Sequence, residues 1–194
     1  MTRAAWAVVD LGFGDAGKGT TTDYLVRAHD ARLVVRFNGG AQAGHTVVLA
    51  DGRHHTFAQL GAGTFVAGVG THLGPAFALD PGALRVEARA LAGLGVTDAL
   101  ARTTIDRRAR VITPFHRAAC RIRERARGDD AHGTTGVGVG EAVSDALAGH
   151  DDVFVAWREG WLTYSTGPCI PERGPGELFL GGASGTSAPA LWEL

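Results

Sequence analysis

The chain has 194 residues, 45% of them hydrophobic and 20% charged, a composition suited to a globular protein with an ordinary apolar core. Its 19 basic and 20 acidic side chains leave a net charge of −1, which removes any general electrostatic drive toward nucleic acid or an anionic membrane. Cys120 and Cys169 make neither a disulfide framework nor a metal site. No stretch reaches the roughly 18 apolar residues of a membrane span, and the amino end lacks a signal-peptide pattern, so a cytoplasmic location is expected.

Taken in order, the apolar run Ala5–Val9 predicts a first strand, about Ala5–Leu11, that feeds a turn carrying Gly12, Gly14, Gly17 and Gly19. A helix follows, over 17–28. Glycines allow positive φ and let backbone N–H groups approach an anion, and a helix amino end adds partial positive charge at the same point. Lys18 adds a full cation. The spacing is close to the phosphate-loop pattern, but Gly19 stands where Ser or Thr would hold magnesium. Asp15, inside the loop, is the replacement as metal ligand or base.

Leu33–Phe37 predicts a second strand, ending at Asn38-Gly39-Gly40. Its following loop closes with Gly44-His45-Thr46. In an α/β sheet both loops leave the carboxyl ends of their strands, on the edge where ligands bind, so Asp15 and His45 are expected to face one pocket. Thr46–Leu49 and His54–Phe57 flank Asp51-Gly52, a hairpin signal. His54 and His55 point to opposite faces of that hairpin and make poor joint metal ligands. Short strands are expected at Thr64–Val66 and Thr71–Leu73. Asp80 and Pro81 start a helix whose core side is Leu84, Ala88, Leu91 and Leu94.

Ala109–Thr113 reads as a strand. Pro114 opens a helix to about Ala126, with Phe115, Ala118 and Ile122 expected on the buried face, Cys120 as a small core residue, and the arginines 117 to 127 on the solvated side. That arginine face lacks the interleaved aromatics of a nucleic-acid groove. Residues 128–140 form a glycine-rich loop in which the hydroxyls of Thr134 and Thr135 make a second anion cradle, followed by a short helix over 140–147. After Gly149 the character changes. Three of the four tryptophans and four of the seven prolines lie there, so the chain divides into 1–149 and a divergent or poorly ordered tail, 150–194.

The pair Gly14-Asp15-Ala16-Gly17-Lys18-Gly19 and Gly39-Gly40-Ala41-Gln42-Ala43-Gly44-His45-Thr46 resembles the first two active-site loops of the adenylosuccinate synthetase family. Leu79-Asp80-Pro81-Gly82-Ala83-Leu84, the run from Asp106 to Arg117, and Gly133-Thr134-Thr135-Gly136-Val137-Gly138-Val139-Gly140 are similar to later blocks of that family, in the same order over about residues 5–148. The resemblance implies an α/β fold with a mainly parallel sheet, flanking helices and a P-loop-like nucleotide site, truncated relative to the family.

It also implies a ligase of purine biosynthesis, which joins IMP and L-aspartate at the expense of GTP, with Mg2+, through 6-phosphoryl-IMP. On that pattern Asp15 is the base that takes the N1 proton and also touches the metal. His45 donates to the phosphoryl oxygens, Lys18 neutralises phosphate charge, and the Gly44 carbonyl is the second metal contact. Gly12, Gly14, Gly17, Gly19, Thr20, Gln42, Thr46, Thr134 and Thr135 would line the nucleotides. A homodimer is the implied assembly. The chain departs from the family at Ala16 (usually acidic), Thr20 (usually Lys), Gln42 (usually Asn), Val137 (usually Arg) and Gly149 (usually the arginine that reaches the partner's IMP). The family's later segments, which recognise guanine and bind aspartate, have no counterpart, and no Thr-Lys-x-Asp motif occurs. Two alternatives stand beside the ligase: a nucleotide-binding remnant, and a ligase acting on a non-purine substrate.

Overall fold

Parallel strand pairing organises the fold of this computed structural model, which describes residues 4–12 and 14–149 together with the backbone of 153–158 and 161–166. The long strand β4 (Gly70–Leu79) is central. The strand β1 (Leu33–Gly40) pairs with it in parallel on one side, from Leu33 opposite Gly70 to Gly40 opposite Ala78, with a break in register between Arg36 and Asn38. On its other side run β5 (Thr103–Ile105) and then β6 (Arg110–Val111), both parallel to it. The hairpin β2 (His45–Val48) and β3 (His54–Phe57) turns at Asp51-Gly52 as its sequence predicts, with Gly52 at φ 87°. A second hairpin joins β7 (Val153–Arg158) to β8 (Trp161–Thr166), so the stretch after Gly149 begins with antiparallel pairing.

The helices are α1 (Lys18–Ala28), α2 (Pro81–Gly93), α3 (Pro114–Ala126) and α4 (Val139–Leu147). Asp80 caps α2 by accepting from the Ala83 N–H at 2.9 Å, with Pro81 at the first position, where a missing N–H costs nothing. Thr113 and His116 form a reciprocal capping box at the start of α3.

The main core gathers Val47, Phe57, Leu60, Leu73, Phe77, Leu79, Leu84 and Leu91, most of them without any solvent exposure. Each such side chain stabilises the fold by roughly 1.5–3 kcal/mol through burial alone. Residues 58–60 are held inside by two charged groups acting on opposite ends of the peptide dipole. The Glu87 carboxylate accepts the N–H groups of Ala58, Gln59 and Leu60 at 3.0, 2.9 and 3.3 Å, while the Arg36 guanidinium donates to their three carbonyls at 3.1–3.4 Å. Gln59, fully buried, brackets the Asp80 backbone with two further bonds.

Several expectations are corrected. Residues 4–11 form no strand: no described strand pairs with them, and a strand exists only through its ladder. Val9 and Leu11 are consequently 70% and 96% exposed. Thr64–Val66 is a chain of turns, closed by bonds from Thr64 N–H to the Gly61 carbonyl and from Val66 N–H to that of Gly63. The strand expected over 109–113 contracts to Arg110–Val111, and the short β5 lies ahead of it.

On α3 the apolar stripe faces outward, with Phe115 84% and Ile122 67% exposed. The capping box turns His116 inward, Cys120 follows one turn later as a buried thiol, and the helix meets α4 through His116–Asp145 and Arg123–Glu141 pairs. On α2 it is Glu87, not Ala88, that is fully inside. The sheet itself covers one face only: Val34 and Arg36 are buried, whereas Leu33, Val35 and Phe37 are exposed.

Candidate functional site

The glycine loop bends into α1 through left-handed backbone at Gly14 (φ 100°), Asp15 (φ 53°) and Gly17 (φ 75°). Gly17 occupies the N-cap and no side chain caps the helix, nor is there an acidic residue in its first turn. The amino end of α1 therefore has no side-chain cap on its backbone donors. Asp15 is exposed. Lys18, half-buried, is held by an ion pair with Asp10, whose other oxygen accepts the Gly12 N–H at 2.8 Å. Lys18 first, and the Gly12 amide second, hold the Asp10 carboxyl below the usual carboxylate range.

Gly19 shows why the first turn of α1 must be bare. A Cβ at this position would lie 2.8–3.0 Å from the backbone and Cβ of His45, closer than real contacts allow. The glycine lets the helix start press directly on the second loop. Next to it the Thr20 hydroxyl donates to the Thr46 carbonyl at 3.3 Å. Asp15 and Lys18 are thus carried on a loop whose helix touches His45, although no strand precedes that loop among the described residues.

His45 opens β2 opposite Phe57 and is half-buried. Burial, then the positive charges of Arg36 and Lys18, push its imidazole below the ordinary value of 6.5, so it is neutral at pH 7 and carries one donor and one acceptor nitrogen. Gly44 and Gln42 are exposed beside it, while the Thr46 hydroxyl is engaged with that of Thr56 at 2.9 Å.

The third loop has left-handed glycines at 133, 136 and 138. Gly138 is the N-cap of α4, again with no side-chain cap. A Cβ there would sit 2.7–2.9 Å from the His116–Arg117 backbone, so glycine is what lets α4 start against α3. The Thr134 N–H donates to Glu124 at 3.1 Å, which is the leading reason that the Glu124 carboxyl lies below its usual range. The thiol of Cys120 lies 3.8 Å from the Thr134 hydroxyl, and Thr135 is exposed. Among the described residues no hydrogen bond joins Thr134 or Thr135 to residues 12–46. The second and third loops meet through apolar contact instead, with Ala41, Val137 and Val139 packed on Ala78, Ile112 and Ala142.

Sequence reasoning passed over Asp10 and Arg36. A charged residue inside an otherwise apolar strand run, as in Val34-Val35-Arg36-Phe37, was the available signal for the second. A cavity of about 280 Å3 lies between α3 and α4, lined by Thr113, Phe115, His116, Ala119, Arg123 and the α4 carboxylates. Its charged groups satisfy one another, His116 with Asp145 at 3.0 Å and Arg123 with Glu141 at 3.6 Å. It offers a ligand less than the loop edge does.

A parallel sheet with flanking helices, two of them started by uncapped glycines, defines an α/β protein of the P-loop-like nucleotide-binding class. Residues 7–151 match the family model of adenylosuccinate synthetase, and the chain belongs to that family. It is 41% identical over 144 residues to adenylosuccinate synthetase of Clostridium botulinum, an alignment covering 74% of this chain and 33% of that protein. Against the Clostridium beijerinckii enzyme it is 35% identical over 161 residues, covering 78% and 37%.

Among solved structures it is similar to fully ligated adenylosuccinate synthetase from Plasmodium falciparum, with a TM-score of 0.61, 27% identity, and coverage of 70% of this chain and 31% of that one. It is also similar to the cyanophage S-2L succinoaminodeoxyadenylate synthetase bound to dGMP and dATP, with a TM-score of 0.55, 26% identity, and coverage of 72% and 37%. The chain spans about a third of the length of the curated relatives it matches.

Proposed function

We infer that this chain carries out an adenylosuccinate synthetase reaction: GTP-dependent phosphorylation of the IMP oxygen at C6, followed by displacement of that phosphate by the amine of L-aspartate. The observation that carries this reading is the contact of Gly19 with His45, which joins the Asp15–Lys18 loop to the second loop at one edge of the sheet. In this reading Asp15 takes the N1 proton of the purine, which makes the oxygen at C6 nucleophilic. The neutral His45 donates a hydrogen bond to the transferring phosphoryl oxygens, and Lys18 with the amides of Gly12, Gly14, Gly17, Gly19 and Thr20 spreads their charge. Phosphoryl transfer needs mostly positioning and charge stabilisation, which these groups supply. Gln42 and Thr46 flank the nucleotide, and Thr134 and Thr135 take the IMP phosphate.

No group of three or more His, Cys, Asp or Glu among the described residues could enclose a metal. The donor set still fits Mg2+, which is held by one or two protein oxygens and completes its shell with water and phosphate. The exposed Asp15 carboxylate and the Gly44 carbonyl are the oxygens that would hold it. When bound, it would neutralise charge on the transferring phosphate. A homodimer and a cytoplasmic setting belong to the same proposal; no helix among the described residues is long and apolar enough to cross a membrane.

Coverage of about a third of the relatives favours a second reading, in which the chain binds nucleotide without completing the ligation. Phosphate release from GTP with IMP and magnesium, with and without aspartate, separates the two, provided the sample unfolds cooperatively. Aspartate-dependent release that Asp15→Asn abolishes is the expected result for the ligase. A folded chain that binds GTP yet releases no phosphate would overturn it in favour of the second reading.

A further inference from the structure

Resting on the phosphate-binding role of the glycine loop, we propose that Asp10 is a specificity-determining residue: it makes the loop select metal-complexed polyphosphates over free ones. The Asp10 carboxylate bridges the Gly12 N–H and the Lys18 ammonium. These are the first amide of the glycine loop and its only cation, two donors that a phosphate bound there would use. Asp10 is the less solvent-exposed of the pair, its side chain 12% exposed against 34% for Lys18. In effect an anion supplied by the chain already occupies the cradle.

Between Asp10 and Thr20 the charged side chains are two carboxylates and one ammonium, so the loop as a whole carries net negative charge. A free polyphosphate must either displace Asp10 from Lys18 or bind beside two negative charges. A polyphosphate that arrives with a divalent cation meets the opposite field, because the same carboxylates then attract its metal. Charge-assisted contacts of this kind are strong enough to matter at a half-buried site, where water screens them less than at a fully exposed one.

The test is calorimetric binding of inorganic pyrophosphate to the full chain, in chelator and in saturating magnesium, for the wild type, Asp10→Asn and Lys18→Met. Asp10→Asn keeps the side-chain oxygen that accepts the Gly12 N–H and removes only the charge. It is expected to raise metal-free affinity roughly tenfold while changing affinity in magnesium by less than about threefold, so that the preference for the metal complex collapses. Lys18→Met is expected to weaken binding in both media. Should Asp10→Asn leave metal-free affinity unchanged or lower it while Lys18→Met still loses binding, the phosphate cradle stands and the role of Asp10 falls. Absence of binding by every form in both media would remove the cradle as well. If Asp10→Asn melts earlier than wild type, Asp10→Ser, which also retains an acceptor, is read in its place by the same criteria.

Discussion

Between Phe57 and Ile112 the interior holds large apolar side chains alongside polar ones, Gln59 and Glu87, whose partners are backbone groups of the same chain. The rim formed by the glycine loop and residues 133–138 is built differently: its turns are left-handed at Gly14, Asp15, Gly17, Gly133, Gly136 and Gly138, and its two helices start without a side-chain cap. The helices repeat this contrast. Those rooted in the framework, α2 and α3, start with Asp80 and Thr113 caps, whereas α1 and α4, which carry the loops, start at Gly17 and Gly138 with none. A side-chain cap in place of Gly17 or Gly138 would gain at most about a few tenths of a kcal/mol over glycine, would strain left-handed backbone, and would occupy the amides that an anion needs. The framework helices satisfy their amino ends with their own side chains; the rim helices leave theirs uncapped.

If that division is real, a framework mutation should cost stability and leave intrinsic anion affinity alone. Glu87→Ala is the severest case. It removes the acceptor of three backbone N–H groups at 2.9–3.3 Å and the anion that offsets the buried Arg36, whose guanidinium burial otherwise pushes below its ordinary range. A loss of about 3–5 kcal/mol in urea unfolding is expected, with pyrophosphate affinity preserved in whatever fraction stays folded. A shift below about 1 kcal/mol, or a selective loss of pyrophosphate binding, would break the comparison.

Gly19→Ala probes the seam between the two regions. In an open helix position Ala is worth roughly 0.5–1 kcal/mol over Gly, and Gly93, whose added Cβ would meet nothing within 4 Å, is the internal control in which that gain should appear. At Gly19 the added carbon meets His45 backbone, which cannot swing away as a side-chain tip can. The expected outcome is a loss of about 1–3 kcal/mol from overpacking and a fall in pyrophosphate affinity of roughly tenfold or more, because the loop is lifted off its partner. Equal behaviour of Gly19→Ala and Gly93→Ala would remove the contact on which the functional reading rests.

How far the sequence foretold this arrangement depends on how local each signal is. The Asp80-Pro81 start, the Asp51-Gly52 hairpin and the glycine loop were legible because their chemistry is contained within a few residues. The family blocks located the three loops along the chain, and Gly19 against His45 brings the first two together. What failed was non-local. The apolar stretch 5–11 has strand composition, but pairing is a property of a partner, and no described strand supplies one. The periodicity of α3 offered two faces, and the inward one was chosen by His116 and Cys120 through contacts with residues about 15–30 positions away. Arg36 and Glu87 look like surface residues until residues 58–60 are folded between them.

The smallest expected effect concerns His45, a site residue that belongs to both regions, since it pairs with Phe57 and touches α1. Its folded imidazole lies below its ordinary 6.5, chiefly through burial and then through Arg36 and Lys18. The unfolded chain therefore binds this proton more readily than the folded one does. Its contribution to stability is fully present above about pH 6.5, declines as pH falls from there, and is lost once pH drops below the depressed folded value. Unfolding free energies measured in small pH steps between neutrality and pH 5 should show this slope in the wild type, and His45→Gln should flatten it. Lys18→Met should flatten it only slightly, because burial outranks both cations as the cause. A wild-type curve with no downward slope below pH 6.5, or a Lys18→Met curve as flat as that of His45→Gln, would mean that the rim's charge and not the framework's dryness governs His45, and the boundary between the two regions would move to include it.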